Sequence, residues 1–147
     1  MRSLLDINVL LALHDPSHIH AEIAHEWWEQ NQDAGWASCP ISENGFVRIS
    51  SGPSYSPYVR FTPFEAAQIL RAFTQTNNHQ FWPDSLSLLE TSVFLLDQVV
   101  GPRQLTDIYM LALSVKNNGR LVTFDRRIPT FAVVGATEDH IVVLDDH

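Results

Sequence analysis

The stretch LVTFDRR (residues 121–127) opens as a continuous apolar run and ends on a carboxylate, Asp125, followed by two guanidiniums, Arg126 and Arg127. A short run that is apolar on consecutive positions reads as a strand buried on both faces, the habit of parallel sheets covered by helices. A second run, LLDIN (residues 4–8), also closes on an aspartate, Asp6. Two aspartates at one edge of the same sheet are a candidate site, whereas two at unrelated turns are not.

The order of elements around these runs settles which case applies. Residues 2–5 read as a strand and 7–13 as a helix directly behind it. Residues 18–32 read as a second helix with Ile19, Ile23, Trp27 and Trp28 on its apolar side. A short strand at 35–39 precedes a helix at 40–50, where Pro40 occupies the first turn that tolerates it. Residues 51–57, SGPSYSP, are a loop by composition. Thr62 and Glu65 have the capping-box spacing for a helix reaching residue 76. A short strand at 79–82 and a helix at 86–99 follow. Thr106 caps a helix over 107–118, stopped by Gly119, and strands at 121–124 and 141–144 close the chain. Helices alternating with short apolar strands make an α/β domain with a mostly parallel sheet. The 147 residues, 45% of them hydrophobic, suit one such domain over 1–147.

In a β-α-β unit the carboxyl ends of strands and the amino ends of helices share one edge. Asp6 and Asp125 each follow a strand, Glu43 lies in the first turn of the helix from 40, and Asp107 begins the helix before 121–124. All four acids thus fall on the edge where open α/β sheets place ligands. Alone, each has an ordinary reading as a helix-end charge or a turn residue. Together, four carboxylates repel unless protonated or neutralised, and a hard divalent cation with oxygen ligands is the economical solution. That arrangement suggests metal-assisted attack of water on a phosphodiester.

At these residues the chain resembles a known family. The segments LLDINVLLAL, CPISENGFVRI, RQLTDIYMLALS and RLVTFDRR look like the successive motifs of PIN-domain ribonucleases, and most of all VapC-type toxins of bacterial toxin–antitoxin pairs. The resemblance implies a PIN-like three-layer sandwich, a mostly parallel central sheet flanked by helices. It implies that Asp6, Glu43, Asp107 and Asp125 form an acidic quartet that binds Mg²⁺ or Mn²⁺ and activates water for RNA cleavage. Asn8 matches a polar position that orients a ligand or water, and Thr123 is a further candidate for such a role. The resemblance also implies a cognate antitoxin protein, a homodimer, and a tRNA or ribosomal RNA substrate.

Composition limits the remaining options. Nine Lys and Arg against seventeen Asp and Glu give a net charge of −8, which argues against broad non-specific nucleic-acid binding. A local basic groove is compatible with it, and Arg126, Arg48 and Arg103 are its candidates, since arginine grips phosphate bidentately. Arg126 reads equally well as a partner of nearby acids, and Arg127 reads better that way. Tyr55 and Tyr58 are loop-packing residues or base-stacking ones, the former being commoner. His18, His20, Glu22 and His25 are close enough to suggest zinc, yet the HExxH order is absent and a solvated helix start is the favoured reading. Cys39 is the only cysteine. It reads as a buried structural thiol in a reducing cytoplasm, and no run suggests a membrane span or signal peptide. Two other classes stay open: a receiver-like Mg²⁺-binding signalling domain, which would want a lysine near the acids where the only one is Lys116, and a non-catalytic interaction domain with structural acids.

Overall fold

Adjacent side chains leave a strand on opposite faces, and in β1 (Ser3–Leu5) both Leu4 and Leu5 are completely buried. The strand therefore needs cover above and below. The computed structural model, which describes residues 1–56 and 60–145, provides it. β2 (Trp36–Ser38), β3 (His79–Phe81), β4 (Arg120–Thr123) and β5 (Ile141–Val143) join β1 in one sheet of order β3-β2-β1-β4-β5. Every strand pairing described is parallel, with Leu4 beside Ala37 on one flank and Leu121 on the other. The expected mostly parallel sheet is thus parallel throughout the described strands.

Strand alternation sorts the apolar residues into two cores. Leu4, Ala37 and Leu121 face helix α5 (Leu105–Lys116), packing with Ile108, Leu111 and Ala112. Leu5, Trp36 and Val122 face the other layer, made by α1 (Ile7–His14), α2 (Ala21–Asn31), α3 (Pro40–Ser50) and α4 (Pro63–Thr74). Full burial of a leucine side chain contributes about 1.5–3 kcal/mol, so each strand residue stabilises one interlayer seam. The result is the anticipated three-layer sandwich. Gly45 sets how closely α3 meets α1, because a Cβ there would lie 2.3 Å from Ile7 Cδ1.

This strand order fixes the ligand edge. From β1 the chain moves outward to β2 and β3, then returns across the sheet to β4 on the other side of β1. The direction therefore reverses between β1 and β4, and such reversal points are where open α/β sheets place ligands at the carboxyl ends of the strands. Asp6 and Asp125 border this one.

Four sequence expectations need correction. Residues 86–99 do not form an α-helix: they run as turns and a short 3-10 segment, Leu96–Gln98. Long-range bonds fix them instead. The Tyr109 hydroxyl donates to the Leu86 carbonyl at 2.9 Å, Phe94 bridges Val133, and Leu95 N–H donates to the Ala132 carbonyl at 2.8 Å. The second helix begins at Ala21 rather than 18, since residues 15–20 turn around Asp15, whose carboxylate accepts the Ser17 N–H at 2.9 Å. His18 and His20 therefore lie before the helix that carries Glu22 and His25, so the four do not sit on one element. Thr106 is not a cap, because α5 starts at Leu105 and places Asp107 third in its first turn. By contrast, Thr62 and Glu65 form the expected capping box, and Pro40 opens α3. Among the described residues no helix is long and apolar enough to cross a membrane.

Candidate functional site

Asp6 is fixed by its place in the chain. It caps α1, accepting the Ile7 N–H at 2.7 Å, while its own N–H donates to the Val122 carbonyl at 3.0 Å. Its second oxygen accepts the Thr123 hydroxyl at 2.7 Å, and that hydroxyl in turn accepts the Asp125 N–H at 3.1 Å. One threonine at the end of β4 thus ties the acid after β1 to the acid after β4. The α5 start is tethered to the same loop by Gln104, whose side-chain N–H donates to the Arg127 carbonyl at 3.0 Å.

The charges of the neighbouring aspartates reach both Asp6 and Asp107. Burial leads in raising the Asp6 pKa, and the Asp125 charge adds to it, while the Thr123 and Ile7 bonds oppose the rise. Asp107 is pushed up to about 7, first by burial and then by the charges of Asp6 and Asp125. No ion pair of Asp6 or Asp107 with a basic side chain occurs among the described residues. Among those residues, too, no three His, Cys, Asp or Glu side chains already form a group able to grip one ion. The aspartates lie within electrostatic reach of one another, short of coordination. An all-oxygen, mutually repelling donor set of this kind suits a hard divalent cation.

Glu43 is placed differently. Its carboxylate accepts the Ser38 hydroxyl at 2.6 Å, and Ser38 Oγ also lies 2.7 Å from His79 Nε2. An ionised carboxylate only accepts. The Ser38 proton therefore goes to Glu43, and His79 Nε2–H donates to Ser38. Glu43 lines a cavity of about 250 Å³ with Leu70 and Arg71, whereas Asp107 lines another of about 440 Å³ with Arg48, Arg103, Asn44 and Asp84. Sequence reasoning missed Ser38 and His79. The link needs the β2–β3 register, and no local pattern in the chain carries that.

The remaining candidates divide as follows. Asn8 is exposed in the first turn of α1. Arg48 and Arg103 share the Asp107 cavity, and Arg103 also lines a neighbouring cavity of about 410 Å³ with Asp125 and Arg127. Arg126 pairs with Asp145, and Arg127 Nε donates to Asp125 at 3.3 Å. The Tyr55 hydroxyl is committed to Asp15 at 2.7 Å, and Tyr58 lies outside the described residues. Cys39 is a free, buried thiol whose pKa burial pushes up. Lys116 donates to the Ser85 hydroxyl at 2.8 Å and pairs with none of the four acids.

No family model matches the chain. Individual relatives do. Ribonuclease VapC44 of Mycobacterium tuberculosis is 44% identical over 144 residues, which covers 98% of this chain and 100% of that protein. Ribonuclease VapC39 of the same organism is 43% identical over 138 residues, covering 94% and 99%. In fold, the chain matches one in the crystal structure of VapBC2 from Rickettsia felis bound to a DNA fragment from their promoter. That match has a TM-score of 0.57 at 17% identity and covers 88% of this chain and 94% of the other.

Proposed function

This chain belongs to the VapC ribonuclease family, and from that premise we propose that it is the toxin of a toxin–antitoxin pair, a Mg²⁺- or Mn²⁺-dependent endoribonuclease acting at the β1–β4 reversal point. One observation carries the reading. Asp6, Asp107 and Asp125 come from three separate elements at the reversal point of the sheet; the charges of Asp6 and Asp125 raise the Asp107 pKa, that of Asp125 raises Asp6, and no basic side chain pairs with Asp6 or Asp107 among the described residues.

Asp6, Asp107 and Asp125 would hold the cation, which when bound lowers the pKa of water and offsets charge on the phosphorus. Thr123 keeps Asp6 and the Asp125 backbone in register, so both acids respond together to any shift of β4 against β1. Arg48 and Arg103 grip the phosphate from the Asp107 cavity, and bidentate guanidinium contacts orient it for in-line attack. Glu43, released from Ser38, holds the attacking water, and Asn8 orients it. Arg126 is less suited to phosphate than the other two, because Asp145 already claims it.

The solved relative of R. felis pairs a VapB with its VapC. We propose a cognate antitoxin for this chain on that basis; a homodimer, a tRNA or ribosomal RNA substrate and a cytoplasmic location are what the family resemblance implies. Sequencing RNA ends after induced expression tests the reading. Wild type should create new ends that Asp6→Asn does not, and identical end profiles would sink it.

A further inference from the structure

The proposed hydrolysis leaves unused the turn between α1 and α2, which carries His18, Ile19 and His20. Both imidazoles lie against Phe124. The His20 ring is stacked on it with centroids 4.6 Å apart and planes 29° apart, and His18 is stacked at 6.4 Å and 20°. The two imidazoles are themselves 5.8 Å apart. Phe124 is the residue between Thr123, whose hydroxyl holds Asp6, and Asp125. The ring stack is therefore covalently joined to the acidic edge.

The rings are not sealed away as core aromatics are. Trp36 and Phe46 are almost wholly enclosed, but His18, His20 and Phe124 are each only half-buried, and Ile19 at the tip of the turn is 87% exposed. His18 Nδ1 accepts the His20 N–H at 3.0 Å, so that nitrogen carries no proton. Burial and the neighbouring His20 lower the His18 pKa, which keeps the ring neutral. Flat, partly exposed rings are the surfaces on which unpaired RNA bases stack. The arginine-lined cavities reach the acids from the α5 side, and the stack reaches them from the α1–α2 turn. Phosphate and base contacts thus have separate places around one edge.

We propose that His18, His20 and Phe124 form a stacking platform for one unpaired nucleobase of the RNA strand being cut, and that this platform sets base preference beside the cleaved bond. The proposal rests on the ribonuclease reading above. To test it, single-stranded oligoribonucleotides carrying 2-aminopurine at successive positions are titrated into the Asp6→Asn protein, which should bind without cutting. One position should be strongly quenched. Adding Phe124→Leu or His20→Gln should weaken binding about tenfold, the loss expected for one stacked base, and abolish the quench. Phe124→Tyr, which keeps a ring, should restore both. His20→Gln alters only a surface turn, so it keeps the test open if Phe124→Leu loosens the strand end. In cleaving protein the same changes should redistribute RNA ends. An unchanged quench and unchanged ends would overturn the platform, as would equal damage from Leu and Tyr at 124. Ring-dependent binding without any cleavage by wild type would count against the nuclease reading alone.

Discussion

Asp6 and Glu43 are acids at the same edge of the same sheet, yet the protein secures them in opposite ways. Asp6 is only 6% exposed, held by a backbone N–H and by Thr123, and unable to turn without breaking a helix cap. Glu43 is partly exposed and held by one side-chain bond, to Ser38. The aspartates, the built end of the proposed site, are fixed by the strands and α5, whereas Glu43, its latched end, rests on one serine bond. Crowding like charges at the built end costs stability, which a bound cation would recover.

The largest expected effect tests that asymmetry in catalysis. Asp6→Asn and Asp107→Asn should each lower Mn²⁺-dependent cleavage by roughly a thousandfold or more, since a metal supplies several kcal/mol of transition-state stabilisation. Glu43→Gln should lose only about ten- to a hundredfold, the range of one positioned acid–base group. Single-turnover cleavage of one RNA by the three variants decides it. Equal losses at 43 and 107 would erase the distinction between the two ends.

Stability against pH sharpens the comparison next. Asp107 rises from the ordinary 3.8 to about 7 on folding, so between those values the folded protein binds a proton that the unfolded chain releases. Stability then falls as pH rises through this window: the penalty is absent below about 4 and complete above about 7. Thermal melts in chelator should show this decline, and saturating Mn²⁺ should reverse it at high pH. Asp107→Asn should flatten the curve and raise Tm at pH 8 by roughly 2–4 °C. A lower Tm for that variant in chelator would mean that the carboxylates are not strained.

Much of this edge was legible in the chain, for a physical reason. An apolar run closed by an acid reports both a buried strand and the position of its end, and both are local properties. Asp6 and Asp125 could therefore be placed without knowing the sheet order. Residues 86–99 were not legible. Leu86, Leu89, Val93 and Phe94 have spacing that suits a helix, but Tyr109 and Val133, far along the chain, capture the backbone first. The Ser38–His79 link was hidden likewise, because it depends on which residues two parallel strands set side by side.

Ser38→Ala probes the latch itself. It removes a buried hydroxyl that serves both Glu43 and His79, so unfolding free energy should fall by about 1–3 kcal/mol. Cleavage should drop less than tenfold, because Glu43 is released rather than lost. Urea melts and single-turnover rates together check this. A loss of activity matching Glu43→Gln would show that the serine bond is needed in the working state and is no latch.

The smallest effect concerns the arginine beside the built end. Arg127 pairs with Asp125 at 3.3 Å, but its side chain is 85% exposed. An exposed pair of this kind contributes about 0–1 kcal/mol, so Arg127→Ala should leave the metal-free melt almost unchanged. Its cavity is shared with Arg103, and RNA phosphate is a stronger acceptor than one carboxylate that a cation has already neutralised. Once metal binds Asp125, the guanidinium is therefore free to meet the strand. The slope of log Kd for single-stranded RNA against log salt should then shrink by about 0.7 in Arg127→Ala, the share of one phosphate contact. The same substitution at Arg126, which is already claimed by Asp145, should leave the slope unaltered. Equal slopes for the two variants would place the RNA backbone elsewhere and assign Arg127 to Asp125 alone.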